Sequence, residues 1–484
     1  MTTPLFPAFR ARLAALGRRT ASHLRQGTLQ QLAAHLAELI PVHLLSSADE
    51  GPNSRERLFT LRLTCECFLW QMLKPCTACR EVVRQVQALA CLQGKGAVDE
   101  SASAYIQARR RLPQECLERI LAATAQAAER RARARTSLQG RPVKAVDGSS
   151  VQAPDTAANQ KEYPQPSGQK PGCGFPVLKL VVLFSLASGA LLEVVLGNLH
   201  QHDLRLFRRL WECLKAGDIL LGDRAYGDYV TLAGLPRQGV DVVARLHQAR
   251  KVDFRRAKRL GHQDGVFVWR KGGMQSTILT PEQWAALPEE IRVRIVRFTA
   301  ACRGFRTQRI TLVTTLLDAE LYPAAELVAL YLRRWRIELC LRDVKTTLGL
   351  EHLRCQSPAM VRKELLAGLI AHNLIRCLMA EAAQVHAAEL ERLSFKGAVD
   401  ALRQYSAVLA QARTNRLKRQ LWQDLLRTLA GDLVPLRPGR TEPRAVKRRP
   451  KPFPLLNRPR RTFVELPHRN SRWHGGPRKF QSLN

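Results

Sequence analysis

The feature that most constrains this chain is a change of hydrophobic rhythm near residue 139. Before it, Ala, Leu, Arg and Gln dominate and apolar residues recur at helical spacing. After it come short apolar runs bounded by turn residues. Val143 to Val146 precedes Asp147-Gly148-Ser149, and Leu178 to Leu186 and Ala190 to Gly197 flank Ser188-Gly189. Asp203 to Ala216 is amphipathic, Asp218 to Leu221 leads into Gly222-Asp223, and Val240 to Leu246 follows. The order β-β-β-α-β-α-β behind an all-helical segment predicts an α/β (α+β) fold, a mixed sheet with helices. Four regions are expected: a helical domain over 1–138, a sheet domain over 139–385, a β-rich insertion within it over 247–325, and a helical region with a basic tail over 386–484. The insertion is read from Ile291 to Phe298, which alternates apolar residues with arginine, and from Arg309 to Leu317.

Charge narrows the partner. The 77 Lys and Arg outnumber the 41 Asp and Glu, for a net +36. That surplus favours a polyanion, above all nucleic acid. Residues 435–484 carry +12 of it, among many prolines, and residues 1–138 carry +9. A membrane is not expected: the longest uncharged apolar run, Leu180 to Leu192, is thirteen residues, against about twenty for a span. The Arg-rich start has no clean hydrophobic block, so a basic helical arm is expected there rather than a secretory signal or transit peptide, and a cytoplasmic location.

Two further clusters carry alternatives. Cys65, Cys67, Cys76 and Cys79 have a spacing that zinc could use. Their surroundings, with Leu69, Trp70, Met72 and Leu73, read as helix, so buried free thiols are expected. Glu81 to Leu92 and Ser103 to Leu112 flank Gly94-Lys95-Gly96 in a helix-turn-helix outline. Arg109, Arg110 and Arg111 on the second helix form either a solvated face or a DNA contact; Arg109 and Arg110 are the candidates.

The chemistry-bearing residues are carboxylates. Asp147 and Asp223 each follow an apolar strand. Alone, either is as readily a turn residue. At the ends of adjacent strands they could converge as oxygen ligands for a hard cation. Tyr331-x-x-Arg334-x-x-x-Glu338, with Lys345 seven residues on, falls in a helix expected over Leu330 to Leu348. At about 100° per residue these four side chains lie within a stripe roughly 60° wide. It is either a salt-bridged solvent face or an active-site wall, with Trp335, Ile337, Leu339 and Leu341 free to bury the other sides.

Taken together, Val146-Asp147-Gly148-Ser149, Leu221-Gly222-Asp223-Arg224-Ala225-Tyr226 and the Tyr-Arg-Glu-Lys helix resemble the DDE transposases of bacterial insertion sequences, in the fourth insertion-sequence group. The 115 residues from Asp223 to Glu338 leave room for the β insertion that this group carries in a ribonuclease H-like fold. The resemblance extends to Tyr105-Ile106-Gln107-Ala108-Arg109, His372-Asn373-Leu374-Ile375-Arg376 and Lys447-Arg448-Arg449-Pro450-Lys451. It implies that Asp147, Asp223 and Glu338 are a catalytic triad binding two divalent ions, Mg or Mn. It also implies that Tyr331, Arg334 and Lys345 hold DNA phosphates. The implied partners are double-stranded DNA, both terminal inverted repeats and target, with a homodimer assembled on it. The implied activity is excision and strand transfer, cut-and-paste through hairpin ends. A Trp of the insertion would stabilise a flipped base, with Trp269 and Trp284 as candidates. His202-Asp203 either lines the site or caps the next helix. Other readings are a catalytically retired transposase that only binds DNA, or another metal nuclease of the same fold. No Walker loop and no His-Glu-x-x-His motif occurs.

Overall fold

The computed structural model describes residues 58–92, 98–132, 137–273, 279–300, 308–412, 414–435, 456–459, 462–467 and 478–481. One long sheet organises them. Strands β1 (Ser137–Leu138), β2 (Arg141–Gln152), β3 (Val177–Ser185) and β4 (Leu191–Asn198) form an antiparallel set. Strands β5 (Ile219–Gly222) and β6 (Asp241–Arg245) then run parallel to β2. The order β4-β3-β2-β5-β6 is the mixed topology expected of a ribonuclease H-like domain.

Both faces of this sheet are covered, which explains why its strands read as unbroken apolar runs. Alternate residues point to opposite sides. Val143, Ala145, Val182, Phe184, Ile219 and Leu221 enter one core, while Val146, Val181, Leu183, Leu220 and Val242 enter the other. The first core is roofed by helices α1 (Leu61–Leu73), α4 (Gln114–Ala132) and the long α11 (Pro358–Val385). Between α1 and α4, α2 (Cys79–Leu92) and α3 (Ser103–Arg111) form a small cluster with α1. Residue 138 therefore marks a change of secondary structure and not a break in the core. On the second face lie α6 (Asp203–Arg208) and α7 (Tyr229–Gly234); α5 (Ala157–Glu162) precedes β3. The amphipathic run expected to Ala216 ends as an α helix at Arg208, and Trp211–Cys213 is a 3₁₀ turn.

Helix α11 is long and apolar enough to cross a membrane, but 94% of its apolar window is buried inside the protein. Its polar residues show why it belongs there. Asn373 donates to Leu191 O and accepts from Leu191 N, both at 2.8 Å. Arg376 Nε donates to Ser188 O at 2.7 Å. The His-Asn-Leu-Ile-Arg stretch thus clamps the β3–β4 hairpin.

The insertion does not form a sheet of its own. Strands β7 (Lys258–Gly261), β8 (Asp264–Arg270), β9 (Glu290–Ala300) and β10 (Gln308–Thr314) continue the central sheet as β6-β10-β9-β8-β7, with short α8 (Pro281–Ala285) between β8 and β9. The join is antiparallel pairing of Leu312, Val313 and Thr314 with Arg245, Ala244 and Val243.

The expected helix over Leu330 to Leu348 is three pieces: α9 (Ala324–Leu332), α10 (Trp335–Arg342) and a π-helical turn at Asp343–Thr347. Between α9 and α10 the ladder tightens to i→i−3 bonds, from Arg333 N to Leu330 O, Arg334 N to Tyr331 O and Ile337 N to Arg334 O. Neither change is compatible with a constant 100° per residue. Helices α12 (Phe395–Gln411) and α13 (Asn415–Gly431) complete the bundle around α11. The tail, expected to be extended, includes a two-stranded pair, β11 (Val464–Pro467) with β12 (Arg478–Gln481). Gly94-Lys95-Gly96 and Lys447 to Lys451 lie outside the described residues.

Candidate active site

The sheet itself aligns the two aspartates. Parallel pairing of β2 with β5 ends at Ala145 opposite Leu221. Asp147 lies two residues past that last pair on β2, and Asp223 lies just past the end of β5. Asp147 shares the parity of Ala145 along β2, so it faces the first core and the helix that covers it. One expectation changes here: Asp147 is not at a strand end, because β2 continues to Gln152 against β3. Only its pairing with β5 stops, and the carboxylate sits where those two strands part. Each aspartate spends one oxygen locally. Gly148 N donates to Asp147 Oδ1 at 2.9 Å, and Ala225 N donates to Asp223 Oδ1 at 2.8 Å.

Glu338 approaches from α10. The α9–α10 junction is pinned from outside: Arg333 Nη2 binds Glu391 at 2.6 Å, while Arg336 binds both Glu391 and Leu186 O. Arg334 lies between these anchors and turns inward. Its Nη2 donates to Glu338 Oε1 at 2.7 Å, its Nη1 stands 3.7 Å from Asp147 Oδ2, and its guanidinium carbon is 5.9 Å from the centre of the buried Tyr331 ring. Tyr331, Arg334 and Glu338 therefore stay together despite the broken helix. Lys345 is half-buried on the π turn, where the wheel angle no longer describes it. Trp335, expected to be covered, is 61% exposed.

Burial pushes the Asp147 carboxyl up to about 6, Arg334 and the Gly148 amide pull it down, and Asp223 and Glu338 add to the rise. Burial and the negative charge of Asp223, Asp203 and Asp147 push the Tyr226 phenol up. These mutual influences mark one crowded anionic centre. Its oxygen donors are the right type for a hard divalent cation. Among the described residues, however, no three His, Cys, Asp or Glu stand close enough together to hold a metal; a guanidinium spans two of the carboxylates instead.

One contributor, Arg245, was not evident in the sequence, and Asp203 carried two alternatives there. Arg245 sits level with Asp223, because Ala244 pairs with Gly222, and it is influenced by Asp223, Tyr331 and Arg334. Asp203 does not cap α6; His202 does, accepting from Leu204 N. The Asp203 carboxylate pairs with Lys179 Nζ at 2.9 Å and approaches Gly148, where an added Cβ would lie 3.4 Å from Asp203 Oδ2 and 3.8 Å from the Tyr226 hydroxyl. The signal that could have found Arg245 is its position at the end of the next parallel strand.

Three other expectations need correction or placement. Arg109 is buried, 6% exposed, and stacks on Phe68 with its guanidinium against Gln71, Cys79 and Cys355. From there it cannot reach DNA; Arg110 and Arg111 are exposed. Cys65 and Cys67 enter different apolar clusters while Cys76 is exposed, so the cysteines are free thiols that do not converge. Trp269 lies beneath the Arg250 guanidinium at 3.9 Å, lining a recess of about 260 Å³ with Leu246, Lys251, Val252, Phe267 and Ile295. Trp284, on α8, is half-buried.

Residues 138–374 match the family model for the transposase DDE domain, a span that holds all three carboxylates. The chain thus carries a transposase DDE domain. Over 440 residues the transposase is 26% identical to the transposase InsG for insertion sequence element IS4 of Escherichia coli (strain K12), which covers 89% of this chain and 95% of that relative. It also shows a distant likeness to a cryo-EM structure of the piggyBac transposase synaptic complex with hairpin DNA, with a TM-score of 0.40, 7% identity and 84% of each chain covered. The family works with divalent metal ions and binds DNA.

Proposed function

We propose that this transposase cuts the ends of an insertion sequence and joins them to target DNA with Asp147, Asp223 and Glu338 as the catalytic carboxylates. The observation that carries this reading is the convergence of charge: Asp147, just beyond the end of its parallel pairing with β5, meets Arg334 of the helix that also carries Glu338, and Asp223, just past the end of β5, acts on the Asp147 carboxyl. Two divalent ions, Mg²⁺ or Mn²⁺, would supply an activated oxygen nucleophile and stabilise the leaving oxygen of an in-line displacement at phosphorus. The carboxylates hold that charge in place. Each Asp has one oxygen held by a backbone amide, which restricts the side chain that would bind the ion.

In the first step the oxygen of water bonds to phosphorus, the P–O3′ bond breaks, and a 3′-hydroxyl is released. That hydroxyl then attacks a second phosphodiester. Attack on the opposite strand forms a hairpin end, breaks that strand's P–O3′ bond and frees the flanking 3′-hydroxyl; water then opens the hairpin and restores the end's 3′-hydroxyl, whose attack on target forms the joining P–O bond and releases a target 3′-hydroxyl. Arg334, Lys345 and Arg245 would hold phosphates, the arginines through planar forks and Lys345 as a point charge. The Trp269 recess supports the hairpin route, since an aromatic floor under a guanidinium suits an unstacked base. Two ends must be brought together, so a homodimer on DNA is the expected assembly.

The test is incubation of the purified transposase with duplexes carrying the flanking inverted repeats and Mg²⁺, with the cut ends mapped. Hairpins and 3′-hydroxyl ends are expected, and both should vanish in Asp223→Ala. Cleavage surviving in Asp223→Ala would overturn the site. Intact DNA with the native protein would favour the retired, DNA-binding reading.

A further inference from the structure

We infer that Tyr226 is a positioning residue for both aspartates, a spacer that sets Asp147 against Asp223 where the pairing of their strands has stopped. The inference rests on the site proposed above and concerns how that site is held in shape.

A gap in the ladder creates the need. Parallel pairing of β2 with β5 ends at Ala145 opposite Leu221, so no strand hydrogen bond joins the residues beyond. Each strand stays tied on its outer side, β2 to β3 as far as Gln152, and Gly222 to Ala244 of β6. Those partners fix each strand separately. They do not fix one aspartate against the other.

Tyr226 fills that place. Each aspartate has a glycine beside it, Gly148 after Asp147 and Gly222 before Asp223. Both glycines share the parity of residues that enter the second core, Val146 on β2 and Leu220 on β5, and Tyr226 belongs to that core. A Cβ on Gly222 would lie 2.7 Å from Tyr226 Cβ and 3.4 Å from Cγ and Cδ2 of its ring. A Cβ on Gly148 would lie 3.8 Å from the Tyr226 hydroxyl and 3.4 Å from Asp203 Oδ2. One phenol thus reaches from the end of β5 to β2, on the face away from Asp147. Neither glycine has a positive φ, so Gly222 supplies room for this side chain and not an unusual backbone.

The spacer is itself held. Tyr226 is 2% exposed and meets Phe207 edge-on, with ring centres 4.9 Å apart. At its root, Ala225 N donates to Asp223 Oδ1, so Asp223 and Tyr226 share one turn. Near its tip, Asp203 is paired with Lys179 of β3 at 2.9 Å. Burial first, then Asp223, Asp203 and Asp147, push the phenol up, as a ring set among all three requires.

The test is single-turnover strand cleavage of an end-containing duplex with Mg²⁺ and the full chain in saturating excess, beside a mobility shift and a thermal melt. In that excess, loss of some folded protein leaves the rate constant unchanged, whereas misplaced aspartates lower it. Tyr226→Leu should lower it about ten- to hundredfold, the cost of a displacement near 1 Å, with end affinity unchanged. Tyr226→Phe, which keeps the ring, should recover most of the rate. Gly222→Ala, whose Cβ displaces the ring, should be slow like Tyr226→Leu. Leu232→Ala, a cavity in the same core that borders neither glycine, should lower the melt and not the rate constant. A native rate constant in Tyr226→Leu, an equal loss in Leu232→Ala, or a Tyr226→Phe as slow as Tyr226→Leu would overturn the inference. If Tyr226→Leu does not fold, Gly222→Ala carries the test, and a native rate constant there overturns it equally. Asp223→Ala separates the two levels. Cleavage surviving in it fails the site itself; a dead Asp223→Ala beside native rates in Tyr226→Leu and Gly222→Ala fails only the spacer. Uncut DNA with the native protein fails both.

Discussion

Asp147→Asn should stabilise the metal-free, DNA-free protein while removing its activity. Ordinarily an aspartyl carboxyl ionises near 3.8, and in the folded protein burial and its acidic neighbours push Asp147 up to about 6. The folded state therefore holds a proton between those two pH values that the unfolded chain has released. This contribution to stability is fully present below the unfolded pKa and is lost as pH rises through about 6. A tenfold change in proton affinity corresponds to about 1.4 kcal/mol, so ionised Asp147 costs the fold at most about 3 kcal/mol at pH 7.5. The Asn amide keeps the shape without the charge. Unfolding by guanidinium in excess chelator should show Asp147→Asn more stable than native by about 1–3 kcal/mol at pH 7.5. The gain should shrink through pH 6 and disappear near pH 4. A variant equally or less stable than native at pH 7.5 would refute the reasoning, because the carboxylate would then be a net contributor to the fold. Added Mn²⁺ should reverse the order, stabilising native only.

Three further outcomes follow from the same geometry. Asp223→Ala and Glu338→Ala should cut Mg²⁺-dependent strand cleavage to background while a mobility-shift assay still shows end binding; loss of binding along with cleavage would count against a purely catalytic role. Arg109→Ala should cost about 2–4 kcal/mol of stability, the range for removing a buried, packed partner, whereas Arg110→Ala should stay within about 0.5 kcal/mol and, if it meets phosphate, reduce the salt slope of DNA binding by about one. The reverse pattern would return Arg109 to the surface. Lys345→Ala should weaken end binding or strand transfer, and native kinetics on end-containing duplexes would remove it from the site.

The strands, their order and both aspartates were readable because buried strands have a plain signature, a short apolar run closed by a turn. The length of β2 was not. Gly148, Ser149 and Ser150 look like a turn, and only their pairing with Val181, Leu180 and Lys179 makes them strand. The break in the Tyr-Arg-Glu-Lys helix was equally hidden. No Gly or Pro occurs between Ala324 and Leu348, so nothing local announces it; the outer ties of Arg333 and Arg336 accompany it. Arg109 misled for a different reason. It sits in a run of three arginines, and the packing of α3 on α1 decides which of the three turns inward.

The join between β6 and β10 has a consequence for how DNA meets the protein. Neighbouring strands rotate by roughly 20–25°. Six steps separate β2 from β7 along β2-β5-β6-β10-β9-β8-β7, which accumulates to roughly 120–150°. At that average twist the outermost strand would cross the direction of the catalytic strands instead of extending their plane. Its exposed Lys258 and Arg259, with Arg255 and Arg256 just before them, would then face a different quadrant from Asp147 and Asp223. A straight rod of DNA lying over the carboxylates would run past that edge, whereas a bent or folded-back end could touch both. Because the ladder is continuous, this angle is set by backbone hydrogen bonds and not by a hinge.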